Sequence, residues 1–262
     1  MGFFDWFKTE RVDVTSMGDR LNSIEESVRE KTLKLEQAFK DLQVVVYALS
    51  HDLRSPLRTL KSIVAIIMEE HGGQLPPEVI QHLKAMQATT DRIESIVSDV
   101  MTYGSVASRN IEIVPVDVNE AVANACLITS NEARGRSNIS IQKNMPKVQG
   151  NFNLLTFALS NLIDNAMKFT KPGTRAEVRV YVEPEGYSAK ICVQDNGIGI
   201  DDRFREKIYE IFERLHSSQE YPGTGVGLAI VKKAVERMNG LTGFTSTLGA
   251  GSTFWIRLPV AA

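Results

Sequence analysis

The chain has 262 residues, 43% of them hydrophobic, and its 30 basic and 32 acidic side chains leave a formal charge of -2. That length accommodates one large domain or two ordinary ones, and the balanced charge excludes a nucleic-acid binder held by bulk positive charge. Two distant cysteines, Cys126 and Cys192, match no metal-ligand or paired redox spacing, which fits a reduced cytosolic setting.

The first 20 residues read as a leader. MGFFDWFK lacks the basic start and cleavage site of a secretory signal, and Trp6 stands where a myristoylation pattern needs Ser or Thr. Phe3, Phe4, Trp6 and Phe7 suit peripheral contact with a membrane surface or a partner, or else packing on the helix that follows. No apolar run approaches the ~20 residues of a bilayer span, so no transmembrane segment is expected.

From Leu21 the apolar residues fall at Leu21, Ile24, Val28, Leu35, Ala38, Leu42, Val45 and Leu49, in steps of three and four with only Lys31 out of character. This heptad seam predicts a coiled coil over 21–46. The steps then become Leu53, Leu57, Leu60, Val64 and Ile67, a stutter that brackets His51 and locally unwinds a supercoil. HGGQLPPE, 71–78, marks a turn, and Val79, Leu83, Met86, Ile93, Ile96, Val97 and Val100 form the stripe of a second helix. A single hairpin cannot bury both stripes well, whereas two copies of the chain make a four-helix bundle, so a homodimer is expected with the bundle over 47–108.

Within that hairpin, ALSHDLRSPLRTL places His51 away from the seam, with Ser55 and Arg58 on its face and Asp52 beside it. Pro56 cannot donate to the carbonyl of Asp52 and its ring crowds that carbonyl, so a kink is expected one turn beyond His51. A neutral imidazole oriented by a carboxylate is a competent nucleophile. A solvated surface histidine is equally compatible with this segment alone.

Past a boundary near residue 110 the pattern alternates. Residues 139–143, 176–184, 189–194 and 252–259 read as strands, and 118–130, 154–169 and 227–238 as helices, which predicts an α/β sandwich over 109–262. Three segments there carry chemistry. SNLIDNAMKFT puts Asn161, Asn165 and Lys168 on one helix face, amide oxygens suiting Mg²⁺ and an ammonium suiting phosphate, although a polar helix face would look the same. In QDNGIGI, Asp195 can accept a hydrogen bond from an exocyclic amine while Gly197 and Gly199 admit close approach, or the segment is simply a tight turn. PGTGVGLAIVKKAVERMNG runs a glycine cluster into a helix whose N-terminus suits phosphate, without the Lys-Ser or Lys-Thr of a P-loop.

Taken together, HDLRSPLR, SNLIDNAMKFT, DNGIGI, IYEIFERLH and GTGVGLAIVKK stand in the order and spacing of the sensor histidine kinases of two-component signalling. The chain resembles that family over about residues 40–259, and the FERLH ending with the SHDL-x-x-PLR form resembles its phytochrome-like branch.

The resemblance implies a dimerisation and histidine-phosphotransfer bundle followed by an ATP-binding domain of the type shared with gyrase and a chaperone class. It makes His51 the phosphoacceptor and Asp52 its activator. Asn165 would hold Mg²⁺, with Asn161 and Lys168 near the phosphates of ATP. Asp195 would read the adenine amine, Gly199 would line the base pocket, Gly225 and Gly227 would border the phosphates, and Gly197, Gly223 and Leu228 would also belong to the ATP-binding set. Thr253 matches a residue used near adenine; Phe212 and Arg214 belong to a lid over about 201–222. The phosphoryl group would pass from His51 to an aspartate of a response regulator receiver domain. Ser55 stands where phosphatase-active members carry Thr or Asn, and it keeps a hydroxyl able to orient water. Only a leader and a coiled coil precede the bundle, so the expected input is a separate sensor protein or domain, or the coiled coil itself; an excised or engineered core is the remaining alternative.

Overall fold

The computed structural model describes residues 14–108, 110–129, 137–215, 220–221 and 223–261. The chain divides into two units, Met1–Ala48 and Leu49–Ala262. The first unit is described from Val14 as part of a long helix, α1 (Val14–His71). Of its predicted seam, Val28, Ala38 and Val45 are exposed, while the side chains of Leu21, Ile24, Leu35 and Leu42 lie outside the described ones. Lys34 and Glu30 pair one turn apart along the helix surface. The aromatic leader also lies outside the described residues.

In the second unit α1 continues unbroken through Pro56 and turns at Gly72–Pro76 into α2 (Pro77–Ser108). Leu57 and Val64, seven residues apart on α1, are buried, as are Leu83 and Val97 on α2. The predicted stripes are only half used, because Leu53, Leu60, Met86 and Ile93 stay exposed. Among the described residues no helix is long and apolar enough to cross a membrane.

The α/β part of this unit has the predicted architecture and more strands than the sequence announced. Its elements are β1 (Val114–Asp117), α3 (Val118–Ile128), β2 (Ser137–Ile141), β3 (Lys147–Gly150), α4 (Phe152–Lys168), β4 (Ala176–Glu185), β5 (Ser188–Asp195), α5 (Gly227–Arg237), β6 (Leu241–Thr247) and β7 (Gly251–Pro259). Strands β1 and β3 pair antiparallel as a small ribbon. The main sheet runs β2-β4-β5-β7-β6, parallel only between β2 and β4. Alternate residues of β4 (Ala176, Val178, Val180, Val182) and of β7 (Phe254, Ile256, Leu258) are buried on one face, as a period of two dictates. The helices cover that face, with Leu155, Leu159, Leu162 and Ile163 of α4 fully buried.

Side-chain caps fix the starts of two of the helices. Asp117 accepts from the backbone N–H groups of Asn119 and Glu120 at the head of α3. Asn151 accepts from Leu154 N at the head of α4, which begins two residues earlier than its apolar pattern suggests.

Candidate functional site

A cavity of about 1490 Å³ lies along α4, between the end of β5 and the glycine cluster that leads into α5. Two ends with different chemistry can be told apart.

At the first end, β5 finishes on Asp195. Its Oδ1 accepts from Gly197 N at 2.8 Å and from Ser252 N at 3.1 Å. Burial pushes the Asp195 carboxyl up, and those two hydrogen bonds oppose the shift. The loop after Asp195 is tied to its neighbours: Ile198 N donates to Phe169 O, Gly249 N to Ile198 O, and Ile200 N to Ser246 Oγ at 2.7 Å. Gly199 sits at φ +72, and a Cβ there would lie 2.2 Å from Thr247 O, so only glycine fits. Ile198, Ile200 and Phe254 add an apolar wall. A carboxylate facing an apolar slot is suited to a flat heteroaromatic base that carries an amine.

At the second end, α4 presents Asn161, Asn165 and Lys168 to the cavity, one turn apart as their spacing requires. Asn161 Nδ2 donates to Phe157 O at 2.9 Å, which turns its amide oxygen toward Gly227. The Lys168 ammonium lies 4.5 Å from the centroid of the Phe169 ring and abuts Gly223. Burial lowers its pKa, with Asp164 opposing the shift and Arg214 adding to it. Gly223, Thr224, Gly225, Gly227 and Leu228 complete this wall at the N-terminus of α5. Gly225, at φ +78, passes close to the backbone of Phe212 and Glu213, and its carbonyl accepts from Phe212 N. Amide oxygens, an ammonium and a helix N-terminus together suit a polyphosphate with a hard cation.

The predicted lid is described only in part, since 216–219 and 222 lie outside the described residues. Its first half is more ordered than a loop, with short 3-10 turns at Asp202–Phe204 and Lys207–Tyr209. Arg214 lines the cavity and donates to Tyr221 O at 2.8 Å, and Tyr221 packs on Phe169 at 5.3 Å between centroids. Phe212 is exposed at φ +68.

Two predicted residues stand apart from this wall. Gly197 contributes its N–H to Asp195. Thr253 points away from the helices, because alternate residues of β7 face opposite sides of the sheet, and it lines a separate shallow cavity of about 250 Å³. Its neighbour Ser252 is the residue that β7 turns toward Asp195. A count of two along the strand from the buried Phe254 would have found Ser252 from the sequence. Asp99 and Ser95 of α2 also line the large cavity, and nothing in their sequence context marks them.

On α1, Asp52, Ser55 and Arg58 are exposed. His51 lies in the helix, but its side chain is outside the described ones.

A family model described as Histidine kinase-, DNA gyrase B-, and HSP90-like ATPase matches residues 150–262, and one described as His Kinase A (phospho-acceptor) domain matches residues 41–109. Among curated proteins, the phytochrome-like protein Cph1 of Synechocystis sp. is 31% identical over 90% of this chain and 31% of its own length. Cyanobacterial phytochrome A of Nostoc sp. is 31% identical over 86% of this chain and 29% of its own. The chain thus spans about a third of the length of the curated relatives it matches. Among solved structures, full-length ShkA in complex with AMPPNP shares 26% identity at a TM-score of 0.62, over 83% of this chain and 46% of ShkA. The histidine kinase ThkA, solved with the response regulator TrrA, shares the fold at a TM-score of 0.58 and 18% identity, over 86% of this chain and 65% of ThkA.

Proposed function

The chain belongs to the sensor histidine kinases, with its similarity running to the phytochrome-like branch, and from that premise we propose that it is an ATP-dependent protein histidine kinase that phosphorylates itself on His51 and hands the phosphoryl group to an aspartate of a response regulator. The observation that carries this reading is the two-ended cavity, with a base-reading carboxylate at Asp195 and a phosphate-type wall of Asn161, Lys168 and the Gly223–Gly227 loop.

In this reading Asp195 accepts the adenine amine through its second oxygen, since Oδ1 already takes two backbone N–H groups. Lys168, Arg214 and the head of α5 offset phosphate charge, and Gly225 keeps the loop close. The Asn165 amide oxygen would hold a Mg²⁺ ion, which when bound would neutralise charge on the phosphates, with Asn161 beside them. Asp52 takes the imidazole proton as a His51 nitrogen attacks the γ-phosphorus; the bond to the bridging oxygen breaks and ADP leaves with the electron pair. Phosphohistidine then gives its phosphoryl group to the receiver aspartate. Ser55 orients a water for the reverse duty, hydrolysis of the phosphorylated receiver.

The arrangement we propose is a leader over 1–20, a coiled coil over 21–46, a dimerisation and phosphotransfer bundle over 47–108 that pairs with a second copy, and a catalytic domain over 109–262. Incubation with radiolabelled ATP and Mg²⁺ tests it. An acid-labile phosphate that disappears in His51→Gln is expected, and label that persists in that variant would refute the assignment.

A further inference from the structure

The phosphate end of the cavity is not vacant of negative charge. Thr224, inside the glycine cluster, donates its hydroxyl to Asp99 Oδ2 at 2.5 Å, across 125 residues of sequence, and accepts from Val226 N at 3.4 Å just ahead of α5. A carboxylate bonded there sits at the head of an 11-residue helix, where backbone N–H groups point outward and an anion is favoured. Lys168 supplies a favourable charge on the same group. Hydroxyl, ammonium and helix N-terminus are the donors that a phosphate would use.

The helix that carries Asp99 is fastened beside it. Tyr103 and Val106, one and two turns on from Asp99, pack into the α/β core, Val106 being buried. Arg237, at the end of α5, donates to Val106 O at 3.1 Å and to Ala107 O, which caps the last turn of α2. The end of α2 is thus clamped to α5 at both ends of that helix, with its carboxylate in the nucleotide cavity.

We infer that Asp99 is a built-in competitor of the nucleotide: its carboxylate occupies phosphate-recognising donors, and a triphosphate binds by displacing it and loosening the end of α2 from α5. This rests on the cavity being the ATP site. Burial pushes the Asp99 carboxyl up and the Lys168 ammonium down, so the contact is held against a desolvation cost. Such a contact yields to a ligand that brings more negative charge. By reciprocity, whatever pulls α2 away from α5 raises nucleotide affinity, and nucleotide favours the released arrangement.

The test is calorimetric titration of the full chain with AMPPNP and Mg²⁺, and with adenosine as a phosphate-free control. Asp99→Asn should bind AMPPNP roughly tenfold more tightly than the parent, the effect of removing one charged hydrogen-bonded competitor, with adenosine within about twofold. Equal or weaker AMPPNP binding by a folded Asp99→Asn overturns the inference, weaker binding meaning that Asp99 helps to hold the nucleotide or its cation. Should that variant misfold, hydrogen exchange on the parent protein decides: AMPPNP with Mg²⁺ but not adenosine should speed exchange over Ser95–Ser108, and unchanged or slower exchange overturns the idea. Failure of every form to bind AMPPNP refutes the ATP site itself, whereas binding that is indifferent to Asp99 refutes only the competition.

Discussion

The helical hairpin and the α/β layer treat their apolar residues differently. In the α/β layer Leu155, Leu159, Ile163, Ile191, Ile256 and Leu258 are fully buried in one continuous core. In the hairpin Leu57, Val64, Leu83 and Val97 are buried, while Leu49, Leu53, Leu60, Ile63, Ile66 and Met86 remain 45–57% exposed. The first region completes its fold within one chain. The second leaves a stripe on α1 that water disfavours, which is the expected condition of a bundle that is half of a dimer. Stability should therefore depend on concentration in one region and not in the other.

The largest effect that can break this contrast is on association. Replacing Leu60 and Ile63 with Glu alters four side chains in a symmetric dimer, each worth ~1.5–3 kcal/mol on burial. Sedimentation should show the dimer weakened by at least ~10³-fold, with nucleotide binding by the α/β layer retained. A dimer that survives both substitutions would place the association elsewhere.

Next in size is the core. Leu159 is fully buried on α4 between the sheet and its neighbouring helices, and Leu159→Ala should cost about 2–5 kcal/mol in urea denaturation. The loss should be the same at low and high protein concentration. If it varied with concentration, the α/β layer would also depend on a partner.

Both regions were legible in the sequence to the extent that periodicity reports burial. Helices α3, α4 and α5 and strands β4 and β7 were visible because each buries one clear face, β5 as a nearly continuous buried run, and β2 through its alternating Ile139 and Ile141, although none of its residues is buried. Strands β1 and β3 were not, since four residues are too few for a pattern and Pro115 argues against a strand. Strand β6, LTGFTST, was missed because only Phe244 along it is buried. The cavity wall was legible where spacing alone sets it, as for Asn161, Asn165 and Lys168. Ser252 follows from the period of two along β7, although the family resemblance points to Thr253 beside it, whereas Asp99 was not legible because its role depends on how α2 lies against α5.

A smaller effect separates the carboxylate proposed to read the base from the scaffold around it. Asp195 must be ionised to accept from an amine with a free oxygen, and burial has raised its pKa above the ordinary aspartate value of ~4. Protonation then removes an acceptor, so adenosine affinity should fall as pH drops through that raised value, earlier than an ordinary aspartate would allow. Asp195→Asn should lower the affinity roughly tenfold to a hundredfold at neutral pH and flatten the pH profile. A profile that keeps its slope in the variant would assign the titration to another group.

The smallest effect lies on the surface of the hairpin, where Lys61 of α1 meets Asp91 at 2.6 Å and Glu94 at 3.7 Å on α2. The hydrogen bond and charge of Asp91, assisted by Glu94, raise the Lys61 pKa above that of a free lysine. Because the folded value is the higher one, the contribution is complete below the unfolded pKa and is lost as pH rises through the folded value. All three side chains remain well exposed, so water and salt screen the pair. Lys61→Met should lower the melting temperature by no more than ~2 °C at low salt, and by less as salt is added. A shift that grew with salt would mean that the lysine stem, rather than its charge, holds the two helices together.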